Sequence, residues 1–259
     1  MSTALITGAS SGIGRELARI HARRGGDVVA VARSADTLAA LRDELQGAHG
    51  VTVHVVPSDL SQPGAGARVH DEVVAAGIDV DVLINNAGFG GRGRFDQRDW
   101  ADDLAMIHVN VVALTELTRM FVPAMVARNR GRILNVSSTA AVVPGPLQAV
   151  YYATKAYVTS FSNAVVGELH DSAVTVTTPM PGVTDTGFAA TSGMADTGMF
   201  DRTFTAEEVA RAGYDAMVDG KLNVFAGVTA AQRALLHAAP VLPTGLLMDQ
   251  VRRQEVPSA

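Results

Sequence analysis

Apolar positions along the chain fall into two alternating rhythms. Short, nearly continuous aliphatic runs occupy residues 4–7, 27–32, 51–56, 82–84, 132–136, 174–178 and 223–226. Runs of that length and continuity predict strands buried on both faces. Between them, apolar residues recur at helical spacing, as at Ile13, Leu17 and Ile20, or at Leu38, Leu41 and Leu45. A longer stripe, Leu104, Ile107, Val111, Leu114, Leu117 and Phe121, predicts one helix over 100–128 with Pro123 as a kink. Further helices are expected over 34–45 (Ser34 as N-cap), 64–76, 151–171 and 206–219. Strands alternating with helices imply an α/β fold: a doubly wound parallel sheet, helices on both faces, in a single domain spanning 1–259.

Glycines and small polar residues punctuate the ends of these strands. After the first comes Thr7-Gly8-Ala9-Ser10-Ser11-Gly12-Ile13-Gly14, which opens a helix. Such glycines let the backbone approach a ligand closely, and the helix N-terminus offers N–H groups to a phosphate. This turn lacks the common G-x-G-x-x-G spacing, since Leu17 stands where a third glycine would fall, yet its place between strand and helix favours a dinucleotide. The second strand ends at Ala32-Arg33, where an NAD site would carry a carboxylate for the ribose hydroxyls. A guanidinium there suits a 2′-phosphate, so NADP(H) is favoured over NAD(H), with Arg15 able to add to the charge. A solvated loop arginine is the plainer alternative. Asp59 follows the third strand, as a ligand contact or a turn cap, and Asn85-Asn86-Ala87-Gly88 follows the fourth. Asn110 falls inside the apolar stripe of the long helix and needs a polar partner there.

Residues 138–155 read S-T-A-A-V-V-P-G-P-L-Q-A-V-Y-Y-A-T-K. Tyr151 and Lys155 lie one helical turn apart on one face, and Ser138 sits on the loop that folds back over it. A hydroxyl, a phenol and an ammonium can form a proton-transfer site. Residues 183–205 carry Gly187, Gly193 and Gly198 with Phe188, Met194, Met199 and Phe200, a composition that suits a substrate lid. The tail, 227–259, is apolar and broken by Pro240 and Pro243; it could cap a pocket, cover a subunit interface, touch a membrane or pack in the core.

Composition narrows the partners. A formal charge of −5 gives no basic footprint for nucleic acid. There are no cysteines, and the seven histidines show no metal-ligand spacing, so no metal site is expected. The N-terminus enters an apolar strand without a basic segment ahead of a long apolar one, and no uninterrupted apolar run reaches the roughly 18–20 residues that span a bilayer. A cytoplasmic protein is the expectation.

Taken together, T-G-A-S-S-G-I-G at 7–14, N-N-A-G at 85–88, Asn110, S-S at 137–138, Y-Y-A-T-K at 151–155 and P-G-V-T-D-T at 181–186 resemble the short-chain dehydrogenase/reductases, in order and in spacing. The resemblance covers residues 3 to about 190 and implies a Rossmann-like domain. It implies that Gly8, Ser10, Ser11, Gly12, Ile13 and Gly14 line the pyrophosphate turn, that Arg33 meets the 2′-phosphate, and that Asp59 and Leu60 meet the adenine. Asn86, Ala87 and Gly88 would lie near the cofactor, and Pro181, Gly182, Val183 and Thr186 would close over the nicotinamide. Asn110, Ser138, Tyr151 and Lys155 would form the catalytic tetrad, Tyr151 and Lys155 also touching cofactor. Ser11 replaces the basic residue that some NADP-preferring members carry before the second glycine.

The reaction so implied is hydride transfer between nicotinamide and a carbonyl or alcohol carbon, with Tyr151 as general acid/base. Ser138 would hold the substrate oxygen, and Asn110 would order a water linking Lys155 to solvent. Lys155 and the oxidised nicotinamide, both cationic, are expected to bring the tyrosine well below its ordinary value near ~10. Val142, Val143, Leu147, Phe89, Phe95 and Met180 point to an apolar pocket and a hydrophobic ketone or secondary alcohol. A non-catalytic NADP sensor or scaffold on the same fold is the alternative, a homodimer or homotetramer the expected assembly, and membrane contact by the tail the least favoured partner.

Overall fold

The computed structural model describes residues 2–194 and 203–255, so Gly198, Met199 and Phe200 of the expected lid lie outside the described residues. Seven parallel strands form one sheet: β1 (Thr3–Thr7), β2 (Asp27–Ala32), β3 (Val53–Pro57), β4 (Val82–Asn85), β5 (Gly131–Asn135), β6 (Val174–Pro181) and β9 (Asn223–Ala226). Their order is β3-β2-β1-β4-β5-β6-β9. The chain winds outward from β1 to β3, then crosses back to lay β4 on the other side of β1. That reversal leaves a crevice at the C-terminal ends of β1 and β4, where ligands bind in open parallel sheets.

Helices cover both faces, as the alternation implies. On one side α1 (Gly12–Arg23), α2 (Ala35–His49) and α8 (Ala206–Val218) bury Leu17, Leu38, Leu41, Leu45, Tyr214 and Met217 against Ile6, Ala30 and Ile84. On the other, α3 (Ala65–Ala75), α5 (Leu114–Ala127) and α6 (Ala149–Glu168) bury Val69, Val73, Leu117, Phe121 and Met125 against Leu5, Val29 and Leu83. The central strands are sealed from both sides, which is why their sequences are continuously apolar. Helix ends follow local chemistry: the Ser34 hydroxyl accepts from the Thr37 N–H at 3.3 Å, and Thr205 forms a capping box with Glu208.

Three expectations are corrected. The helix expected over 100–128 is not uniform. It runs as α4 (Trp100–Ile107), a π-helical segment (His108–Ala113) and α5, and Pro123 lies inside α5. The expected loop after β6 holds short elements: β7 (Thr184–Asp185) pairs with β8 (Phe204–Thr205), and α7 (Phe188–Ser192) lies between them. The tail, given no helix by its broken apolar pattern, folds as α9 (Ala230–Ala238) and α10 (Thr244–Glu255). Its Thr229 and Gln232 form a capping box, a signal legible as T-x-x-Q.

Candidate active site

Thr7, the last residue of β1, fastens the two sides of the crevice. Its hydroxyl accepts from the Asn86 N–H at 3.0 Å and the Ala87 N–H at 2.9 Å, and Asn86 Nδ2 donates back to the Thr7 carbonyl at 2.9 Å. The amide at Asn86 thereby braces β1 against β4, and Ala87 and Gly88 continue along the rim. Gly8 and Gly12 take positive φ, 67° and 53°, and a Cβ at Gly14 would overlap the Gly8 carbonyl. The turn therefore needs glycine at these places to bring α1 close beneath it. Ser11 stands at the N-cap of α1 without bonding it through its side chain, and Ser10 and Ile13 complete the turn. The first N–H groups of α1 are thus left for another acceptor.

Arg33 is exposed at the end of β2 and makes no ion pair among the described residues, and its charge helps to lower the Asp59 pKa. Arg15 does not add to it: its guanidinium is bound to Glu44 at 3.1 Å, and Glu44 also takes Arg19 at 2.7 Å. Asp59 caps its own turn, accepting from the Ser61 N–H at 3.0 Å and hydroxyl at 2.8 Å, and these bonds lower its pKa. The Leu60 side chain is turned into the core.

β6 leads out through Pro181 to Gly182, whose N–H donates to the Ala226 carbonyl at 2.9 Å. Val183 accepts the Phe204 N–H at 3.1 Å, and the Thr186 methyl approaches the Cβ position of Gly12 to 3.1 Å. This segment therefore lies over the glycine turn. The described residues accordingly fit a dinucleotide: a glycine cradle, uncapped helix N–H groups, a free guanidinium and a segment above them.

Beyond the crevice, β5 delivers Ser137 and Ser138. Ser137 donates to the Lys155 carbonyl at 2.9 Å and fixes α6 against the strand end. Ser138 is hydrogen-bonded to Tyr151. Lys155 is buried, donates from Nζ to the Val136 carbonyl at 2.9 Å, and stands 5.9 Å from the centre of the Tyr151 ring. Burial alone brings the lysine down to about 8. Burial pushes the tyrosine up to about 12, and the bond to Ser138 only partly opposes this. Tyr151 is protonated at neutral pH, the form that gives up a proton.

Asn110 finds the partners its burial requires. It accepts from the Phe89 N–H at 3.1 Å and donates to the Phe89 carbonyl at 3.0 Å and the Thr154 hydroxyl at 3.1 Å. The space above Gly88 is where its Oδ1 and the Lys155 Nζ converge. The π-helical segment turns this amide toward the loop; such one-turn bulges recur at functional sites.

Around Tyr151 lies an apolar cluster of Met106, Ala140, Tyr152 and Val251, bordered by Phe89, Val143, Val150 and Phe188. Phe188 of α7 packs on the Tyr151 ring at 5.3 Å between centroids. Of the side chains expected to line a pocket, Phe89 and Val143 border this cluster. Leu147 and Phe95 instead line a cleft of about 430 Å3 outside it, with Met248 and Arg252. Val251 places one face of α10 in the cluster, so the tail is a wall here. Val251 was not singled out from the sequence; Thr7 and Thr154 entered only as members of the T-G-A-S-S-G-I-G and Y-Y-A-T-K motifs, and Phe188 only as part of the expected lid. Among the described residues no group of three or more His, Asp or Glu could hold a metal.

The profile of the short chain dehydrogenases matches residues 2–196. The chain is 31% identical over 188 residues to a very-long-chain 3-oxoacyl-CoA reductase of Anas platyrhynchos, covering 69% of this chain and 58% of that longer protein. A short-chain dehydrogenase from Sphingobium yanoikuyae, solved with NADPH, superposes with a TM-score of 0.83 at 32% identity, over 92% of this chain and 93% of that one. A bulky-bulky ketone specific alcohol dehydrogenase from Comamonas testosteroni superposes with a TM-score of 0.80 at 29% identity, over 95% and 93%. The chain belongs to the short-chain dehydrogenase/reductases, oxidoreductases that act between CH–OH and C=O groups with a nicotinamide cofactor.

Proposed function

We propose that the protein is an NADP(H)-dependent oxidoreductase for hydrophobic ketones and secondary alcohols, with Tyr151 as general acid/base. The observation that carries this reading is the buried Tyr151 phenol, bonded to Ser138, one turn from Lys155 and beside the glycine crevice. The nicotinamide, when bound, supplies or accepts the hydride. Gly8, Gly12 and Gly14 with the N–H groups of α1 would hold the pyrophosphate of the dinucleotide, Arg33 the 2′-phosphate, and Asn86 and the segment from Pro181 to Thr186 the nicotinamide side.

In reduction, Ser138 donates a hydrogen bond to the carbonyl oxygen, orienting the carbon. Tyr151 gives its proton to that oxygen as negative charge develops on it; its high pKa keeps the proton in place until then. Lys155, near its own midpoint at neutral to mildly alkaline pH, replenishes the proton. Asn110 holds the Phe89 backbone beside Lys155, and so the path by which a water reaches the ammonium. The apolar cluster excludes bulk water and favours a hydrophobic substituent; the Comamonas testosteroni enzyme, named for bulky ketones, is in keeping with this.

The choice of NADP(H) rests on Arg33, since structural neighbours include complexes with NADP species and one with NAD. Replacing Tyr151 by Phe should cut ketone-dependent NADPH oxidation by about 10²–10⁴-fold while NADPH binding stays within twofold. Full turnover in Tyr151→Phe would sink the assignment. NADPH binding with no oxidation across a broad ketone and aldehyde panel would favour the sensor reading instead.

A further inference from the structure

The loop between β4 and α4 runs past the Tyr151 ring: a Cβ at Gly90 would meet Phe188 at 2.7 Å and Tyr151 at 3.4 Å. Its backbone is bonded on three sides. Asn110 holds Phe89, the Gly93 N–H donates to the Leu147 carbonyl at 2.8 Å, and the Arg92 N–H donates to the Ser192 carbonyl at 3.0 Å. It thus joins the π-helical segment, the turn ahead of α6 and the end of α7. Leu147 accepts its bond from a left-handed conformation, φ 67°, unfavourable for a leucine and held by its surroundings.

Arg98 closes this loop from within. Its Nη1 donates to the Arg92 carbonyl at 3.1 Å, and its Nε donates to Asp103 of α4 at 2.7 Å. Both side chains are well buried, at 15% and 4% exposure, so the pair is a desolvated clamp and not a surface contact. The guanidinium lies so close over Gly91 that no Cβ fits there, and Gly93, at φ 152°, bends around the same side chain. Glycines and guanidinium form one packed unit. A lysine could not reach both Asp103 and the Arg92 carbonyl as a planar fork does.

We infer that Arg98 is a positioning residue: clamped by Asp103, it shapes the 89–93 backbone so that α7, with Phe188, docks on Tyr151. The substrate consequence rests on the oxidoreductase reading above, whereas the docking itself does not. Without the clamp, α7 loses its anchor at Arg92, and the apolar wall over the phenol loosens on the side where substrate sits. The glycine crevice, built by β1 and α1, is untouched.

The test is hydrogen exchange by mass spectrometry, with steady-state kinetics, on the full chain. Arg98→Met strands the Asp103 carboxylate and could fail to fold, so Arg98→Met/Asp103→Leu, which removes both charges, accompanies it. The expected result is faster exchange across 89–98 and 188–192 with the sheet unchanged, and a ketone KM raised about tenfold or more while the NADPH KM stays within twofold. Arg98→Lys should fall between wild type and Arg98→Met. Unchanged exchange at 188–192 in a folded variant overturns the inference, as do ketone and NADPH KM values that rise together. If wild type reduces no ketone at all, the oxidoreductase reading fails, and the exchange data still decide whether Arg98 docks α7.

Discussion

At the scale of single residues, the same burial that makes the site dry sets its two titrations apart. Tyr151 is held up to about 12 and Lys155 down to about 8, both chiefly by desolvation. Tyr151 and Lys155 were legible as a pair from their i, i+4 spacing, but the depth to which each is buried was not. Arg33 and Arg15 make the same contrast. Both lie near the crevice in sequence, yet Glu44 captures Arg15, whereas Arg33 makes no ion pair among the described residues. Charge-assisted bonds are worth about 1.5–3 kcal/mol, so Arg33→Ala should weaken NADPH binding by roughly 10- to 100-fold and leave NADH binding nearly unchanged. Titration of both cofactors by fluorescence measures this, and equal losses for the two would show that Arg33 does not read the 2′-phosphate.

At the scale of elements, the seven strands of the main sheet were predicted within a residue or two, save β6, which extends further, to Pro181; the short β7 and β8 were not predicted. The helices depended on more than periodicity. The apolar stripe of 100–128 is continuous in sequence and gives no sign of the π-helical turn at 108–113, because widening one turn keeps the same broad face buried. Asn110 was the residue that marked the place, as a buried amide in need of partners. Replacing it by Ala orphans the Phe89 N–H and carbonyl at once, at a cost of about 1–3 kcal/mol per buried group. Thermal unfolding of Asn110→Ala should fall by several degrees, and an unchanged Tm would mean that Phe89 is held by other contacts. The helices of the tail were missed because Pro240 and Pro243 interrupt the pattern, although the capping box at Thr229 was present in the sequence.

Across the whole molecule, His21 ties distant parts together. Buried on α1, it bonds Tyr214 of α8 through Nδ1 at 2.7 Å and the Ser2 carbonyl through Nε2 at 3.1 Å. The carbonyl can only accept, so Nε2 carries the proton and Nδ1 accepts from the tyrosine; the ring is neutral. Burial lowers its pKa from 6.5. The unfolded chain therefore takes up a proton near pH ~6.5 that the native state resists. Stability from this group is complete above that pH and falls as pH drops below it. Urea midpoints measured from pH 8 to pH 5 should decline, and His21→Gln should flatten the decline; an identical slope in the variant would place the acid sensitivity elsewhere.

By itself, the sequence determined the alternation of buried strands and amphipathic helices, the glycine turn and the spacing of Tyr151 and Lys155. All three are encoded in neighbours a few residues apart. Tertiary structure alone decided what required distant segments to meet. It joined Thr7 to Asn86 and Ala87 across the switch point, turned Arg15 away to Glu44, set the Lys155 ammonium on Val136, and brought Phe188 and Val251 to the tyrosine. Those contacts span tens to about a hundred residues of chain, and no local pattern carries them.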